Sequence, residues 1–113
     1  MWYGDDFEQR TLSPLSYLKE RESKWVLEFD LPLVDKKDIS VYINEEGMIV
    51  VEAKLRETYY DPKMGSRYKF EYFKKVSSLP KSIDTKKIIA RFDEGRLVIT
   101  MPKLFRGTPI KIE

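Results

Sequence analysis

Large hydrophobic side chains recur at every second position in five separate stretches of this chain. In KWVLEFDLP, Trp25, Leu27, Phe29 and Leu31 fall on one face, while Glu28 and Asp30 fall on the other. Ile39, Val41 and Ile43 alternate with Ser40, Tyr42 and Asn44. Ile49, Val51, Ala53 and Leu55 form a third set, Ile88, Ala90 and Phe92 a fourth, and Leu97, Ile99 and Met101 a fifth. Successive side chains of a strand point to opposite faces, so this spacing predicts half-buried antiparallel strands. None of these runs has the length or the 3.6-residue period of a stable helix.

The breaks between runs carry their own chemistry. Asn44-Glu45-Glu46-Gly47 and Asp93-Glu94-Gly95 place glycine where a short hairpin loop needs a positive φ. Pro32 and Pro80 end strands because proline cannot donate to the ladder. Lys36-Lys37-Asp38 and Ser82–Thr85 read as turns, and Glu57–Arg67 reads as the one long loop, punctuated by Pro62 and Gly65. A further segment around Phe70–Val76 precedes Leu79-Pro80. The pattern predicts one all-β domain, a sandwich or small barrel whose sheet edges must be managed.

Composition removes whole classes of chemistry. The chain has no cysteine and no histidine, which excludes disulfides, thiol catalysis, zinc sites of the Cys or His kind and every histidine-dependent triad. No P-loop or dinucleotide cradle occurs among the five glycines, so ATP-driven work is not expected. Neither a metal nor a cofactor is expected, and no catalytic residue is assigned. The longest apolar run, Met48–Val51, is far short of the ~18 residues of a membrane helix. No secretory signal pattern opens the chain, and a cytoplasmic, non-membrane protein is expected.

Other features allow two readings each. Glu45-Glu46 and Asp93-Glu94 are acid pairs, but acids in tight turns are normally solvated. Arg67–Lys75 interleaves aromatic and cationic side chains, as single-strand-binding sheets do. With a net charge of only +2, the expectation is a strand that packs its rings inside and keeps its cations wet, with no nucleic-acid partner. Tyr59-Tyr60 in the long loop suits either a binding surface or a folded-back loop. The end of the chain, Ile110-Lys111-Ile112-Glu113, puts two isoleucines on one side of an extended segment. That spacing fits a last strand of the same sheet, or a plug for a groove on another copy.

Several short elements occur together in a telling order. Ala90-Arg-Phe-Asp-Glu-Gly95-Arg-Leu97 resembles the A-x-x-x-n-G-x-L signature of the small heat-shock protein (alpha-crystallin domain) family, prokaryotic and archaeal type. Phe29-Asp-Leu-Pro32, Leu79-Pro80, Met101-Pro102 and Ile110-Lys111-Ile112 resemble that family's further landmarks, from about residue 11 to the C-terminus. The resemblance implies an immunoglobulin-like antiparallel β-sandwich of about seven to nine strands over residues 11–102. A short N-terminal arm (1–10) and a C-terminal extension (103–113) would flank it.

The same resemblance implies an ATP-independent holdase, not an enzyme, that binds unfolding client proteins and assembles as dimers and larger homo-oligomers. Ile110 and Ile112 would dock between strands Ile39–Asn44 and Ile88–Phe92 of another copy, against Val41, Ile43, Ile88 and Ile89. About Thr58–Tyr60 of one copy, or a stretch somewhat later in the loop, would pair with Thr11–Ser16 of the next, placing Thr11, Leu12, Ser13, Thr58, Tyr59 and Tyr60 at the dimer interface. Trp2, Tyr3 and Phe7 of the arm would meet clients. Two departures stand out: Leu33 follows the first D-L-P where the family usually has glycine, and Ser77 stands where it has a large apolar residue, suggesting a bulge there. The alternatives are a p23-like cochaperone or protein-binding module, which shares the sandwich, and a single-stranded nucleic-acid-binding β-barrel.

Overall fold

The computed structural model describes residues 10–60, 69–104 and 110–113. Eight strands are found among them: β1 (Thr11–Leu12), β2 (Ser16–Glu20), β3 (Lys24–Asp30), β4 (Val34–Ile43), β5 (Met48–Tyr60), β6 (Lys69–Ser78), β7 (Ile89–Asp93) and β8 (Arg96–Pro102). They form two four-stranded sheets, ordered β1-β6-β5-β4 and β2-β3-β8-β7. The two sheets pack as the expected all-β sandwich, with the alternating faces turned inward.

The core follows the period-two reading. Leu27, Phe29, Leu97, Ile99 and Met101 from one sheet meet Ile49, Val51, Ala53, Leu55 and Phe73 from the other, all buried. Leu31, just past β3, is fully buried as well. Pairing is antiparallel throughout except that β1 runs parallel to β6, with Thr11 opposite Tyr72 and Leu12 opposite Phe73.

Both glycine turns form. Glu94 and Gly95 have φ of 47° and 77°, the positive pair that a two-residue type I′ loop requires between β7 and β8. The Leu31 amide then donates to the Gly95 carbonyl at 2.7 Å, tying that turn to the D-L-P corner. At the β4–β5 turn the Asn44 side chain accepts from the amides of Glu46 and Met48, and Gly47 has φ 77°. Leu33, standing where glycine was expected, also has a positive φ, 61°. The corner keeps its left-handed geometry without the residue that adopts it freely.

Several expectations are corrected. Glu57–Tyr60 are not loop; they extend β5, with Tyr59 opposite Phe70 and Tyr60 opposite Lys69. A polar, two-sided strand end carries no alternation for a period-two reading to detect. Lys36-Lys37-Asp38 lie inside β4, where the register shifts between Val34 and Ile39. Ile83 is not a turn residue but a buried one, bridging to Lys103 ahead of a single 3₁₀ turn, Thr85–Lys87, capped by Asp84. The register beside Ser77 is regular, and the irregularity in that strand pair falls between Lys54 and Tyr59. That shift explains why buried Phe70 and Phe73 are spaced by three instead of two.

Candidate functional site

β4 and β7 are the outermost strands of their two sheets, so their inward faces meet along an open flank of the sandwich. Register fixes which side chains line it. Ile39, Val41 and Ile43 stand opposite Ala53, Val51 and Ile49, three buried residues, and therefore face inward. Ala90 and Phe92 stand opposite buried Ile99 and Leu97 in the same way. Ile39, Val41, Ile88 and Phe92 are partly buried against the core, while Ile43 remains 41% exposed. An interior face with no covering strand at its edge makes an apolar groove.

Three of the four wall residues expected here, Val41, Ile43 and Ile88, come together on this flank. Ile89 does not: it pairs with Thr100 and is turned to the outer face, 60% exposed. Ala90 and Phe92 occupy the wall instead. The signal was present in the alternation of Ile88, Ala90 and Phe92, because adjacent residues of a strand cannot share a face.

The signature residues have local reasons. Ala90 is a small side chain at the mouth of the groove, Gly95 supplies the positive φ of the turn, and Leu97 is 2% exposed in the core. The root of the extension is fixed. The Lys103 amide donates to the Ser23 carbonyl, and the Leu104 amide to that of Ser82. The tail beyond it is not seated on its own chain, since Ile110 and Ile112 are 87% and 94% exposed.

The expected interface residues divide. Thr11 and Leu12 pair within the chain to β6, and Thr11 is nearly buried. Ser13 lies in the connection to β2. Thr58, Tyr59 and Tyr60 are exposed at the far end of β5, while β2 is an outer strand that pairs with β3 alone. Trp2, Tyr3 and Phe7 lie outside the described residues. In the aromatic–cationic stretch, Phe70 and Phe73 are buried, Lys69 pairs with Glu71, and Lys74 pairs with Glu52. Tyr72, however, is 41% exposed on the outer side with Lys74, and Lys75 shares the inward side with Phe73, so the expected split of buried rings from wet cations holds only in part.

Among the described residues no group of His, Cys, Asp and Glu could hold a metal ion, and no helix is long and apolar enough to cross a membrane. The Tyr42 phenol on the outer face donates to Glu52 at 3.1 Å. That hydrogen bond, with lesser contributions from desolvation and the carboxylate charge, raises its pKa above the ordinary 10.0.

Comparison with known proteins places this architecture. The model of the Hsp20/alpha crystallin family matches residues 17–113. Small heat shock protein C2 of Rickettsia felis is 34% identical over 108 residues, spanning 93% of this chain and 70% of that protein. Heat shock protein 16 of Schizosaccharomyces pombe is 30% identical over 98 residues, 82% of this chain and 68% of that one. Among solved structures, a small heat-shock protein from Xylella fastidiosa superposes with a TM-score of 0.68 at 28% identity, covering 90% of this chain and 95% of that one. With its two-sheet sandwich, its D-L-P corner and its signature hairpin, this chain belongs to the Hsp20/alpha-crystallin family of small heat-shock chaperones.

Proposed function

We propose that the chain is an ATP-independent holdase that assembles by docking its C-terminal tail into the β4–β7 groove of another copy. The observation that carries this reading is the coexistence, on one chain, of an uncovered apolar groove and an exposed two-isoleucine tail. Six residues from anchored Leu104 to Ile110 span at most ~20–22 Å, enough to reach a neighbouring molecule.

Magnitudes favour a reversible plug. Burying one isoleucine contributes ~1.5–3 kcal/mol, so two give roughly 3–6 kcal/mol before ordering costs. A dissociation constant of 1 mM already corresponds to about 4 kcal/mol. A single docked tail is therefore weak, while many per particle hold an assembly together and still exchange. Heat or a client would shift tails out of grooves. The freed apolar surface, with Trp2, Tyr3 and Phe7, would then cover exposed hydrophobic segments of unfolding proteins.

The building block is a dimer formed at the free edge of β2, against which the exposed Thr58–Tyr60 end of a partner's β5 adds as a further strand. In this reading the pairing falls at Ser16–Glu20 of the five-residue β2, downstream of the two-residue β1, Thr11–Leu12, one side of which is taken by β6. The cytoplasm is the expected setting.

Two measurements test the reading. Light scattering on a sizing column compares the full chain with Ile110→Ala/Ile112→Ala; an oligomer that falls to dimers is expected. Monomers in both samples would favour a p23-like binding module. Suppression of heat aggregation of a model client at stoichiometric amounts tests the holdase activity, and its absence would sink that half.

A further inference from the structure

The opposite flank of the sandwich is also open. β1 covers β6 only at Tyr72 and Phe73, and past that point β6 and β2 are the outer strands. Register again identifies the inward side chains. Ser16 and Leu18 stand opposite buried Phe29 and Leu27, and Glu20 opposite Trp25. Lys75 and Ser77 stand opposite buried Val51 and Ile49.

Lys75 Nζ reaches across the gap to Ser16 Oγ at 2.7 Å and has no carboxylate partner among the described residues. The flank then widens into a concavity lined by Leu18, Trp25, Leu79, Pro80 and Leu104. Lys103 lies over the Trp25 ring at 5.6 Å and pairs with Glu20 at 2.8 Å. Lys81 is exposed at the rim and pairs with no acid among the described residues. Leu18 and Leu104 are about half exposed. The result is an apolar floor lined by two lysines and one acid, Lys103 being paired with that acid, with Lys75 further along the flank beside Ser16.

One segment of the same chain carries the complementary chemistry. Residues 1–10, MWYGDDFEQR, set Trp2, Tyr3 and Phe7 among Asp5, Asp6 and Glu8. We infer that the acidic, aromatic N-terminal arm of one copy docks on this lysine-rimmed concavity of another. Phe7 would lie against Leu18, Trp25 and Leu79, with Asp5 and Asp6 near Lys75 and Lys81.

Geometry makes the contact intermolecular. β1 runs parallel to β6 with Arg10 beside Glu71, which puts Arg10 towards the Lys69 end of β6, away from Ser78. From Tyr72 to Ser78 is about 20 Å of strand. Phe7 and Asp6 lie three and four residues before Arg10 and reach at most ~11–14 Å from it. A chain's own Phe7 therefore falls short of Leu79, just past Ser78, and a neighbour's does not. The inference rests on the proposed self-association but not on the tail plug.

The test places a photoreactive benzoylphenylalanine at position 7 of the full chain, in a mixture of light and heavy nitrogen isotope forms. Crosslinks joining light to heavy chains, mapped to residues 18–25, 78–82 or 103–104, are expected. Lys75→Glu/Lys81→Glu should lower their yield at least fivefold, and adding Asp5→Lys/Asp6→Lys should restore most of it. Crosslinks confined to Ile39–Ile43 and Ile88–Phe92, to client alone, or within one chain would overturn the inference. So would a full chain that assembles without any crosslink here, an outcome that leaves the tail plug standing. Indifference of the yield to both charge reversals would likewise overturn it.

Discussion

The two open flanks of this sandwich are built from the same repeating geometry and are chemically unlike. Between β4 and β7 the inward positions are Ile39, Val41, Ile43, Ile88, Ala90 and Phe92, without a charge among them. Between β2 and β6 they are Ser16, Leu18, Glu20, Lys75 and Ser77. An edge lined only by hydrocarbon discriminates by shape and by area removed from water. An edge that mixes lysine with leucine and tryptophan also selects for charge. One molecule can thereby hold two kinds of segment at once without confusing them. Ser77, read from sequence as a departure suggesting a bulge, is instead a regular strand residue that keeps the second flank polar.

The largest effect expected is one that breaks both flanks together. Phe29 is fully buried in the sheet between them. Phe29→Ala should cost about 3–5 kcal/mol, read from urea unfolding. Next comes a change that makes the apolar flank resemble the other. Val41→Lys puts an ammonium among groove side chains, and tail binding should weaken by about 1.5–3 kcal/mol, the transfer free energy of one isoleucine that no longer leaves water. Binding of a peptide of residues 107–113 to the Ile110→Ala/Ile112→Ala chain would measure it, and arm crosslinking should be unaffected.

A third substitution should leave the contrast intact while stabilising the scaffold. Leu33 holds φ 61° and is 39% exposed, so Leu33→Gly should gain ~1 kcal/mol by removing a left-handed conformation unfavourable to a side chain. A destabilised variant would mean that the side chain's packing outweighs the backbone. Smaller still is the charged outer face, where Glu28 pairs with Lys19 at 3.4 Å and Arg96 at 3.7 Å. Glu28→Gln should cost less than ~1 kcal/mol, and the loss should shrink in high salt.

The least effect is alkaline. Tyr42 has a raised pKa in the folded chain. Its contribution to stability is therefore present below pH 10 and is lost as pH rises through the folded value. The difference in phenolate absorbance between the parent and Tyr42→Phe should show that transition above pH 10.

The core and both hairpin turns were legible in the chain because burial on a pleated strand imposes a period of two, and glycine marks positive φ. The groove was half legible. Its strands followed from the family resemblance, which also put Ile89 in the wall, although the parity of Ile88, Ala90 and Phe92 places Ile89 outside. The extension of β5 to Tyr60, the burial of Ile83 and the parallel pairing of β1 left no local pattern. Each depends on a partner distant in sequence.

The sequence by itself determined which side chains could share a face, since that depends only on neighbours two positions apart. Tertiary structure alone decided which faces stay uncovered. An edge is created by strand order, and order depends on contacts such as Lys75 with Ser16, 59 residues apart. The isoleucines of the groove and those of the tail look alike as letters. The register of β4 and β7 turns the first set inward beside the core, and the chain beyond Leu104 leaves the second set exposed to solvent.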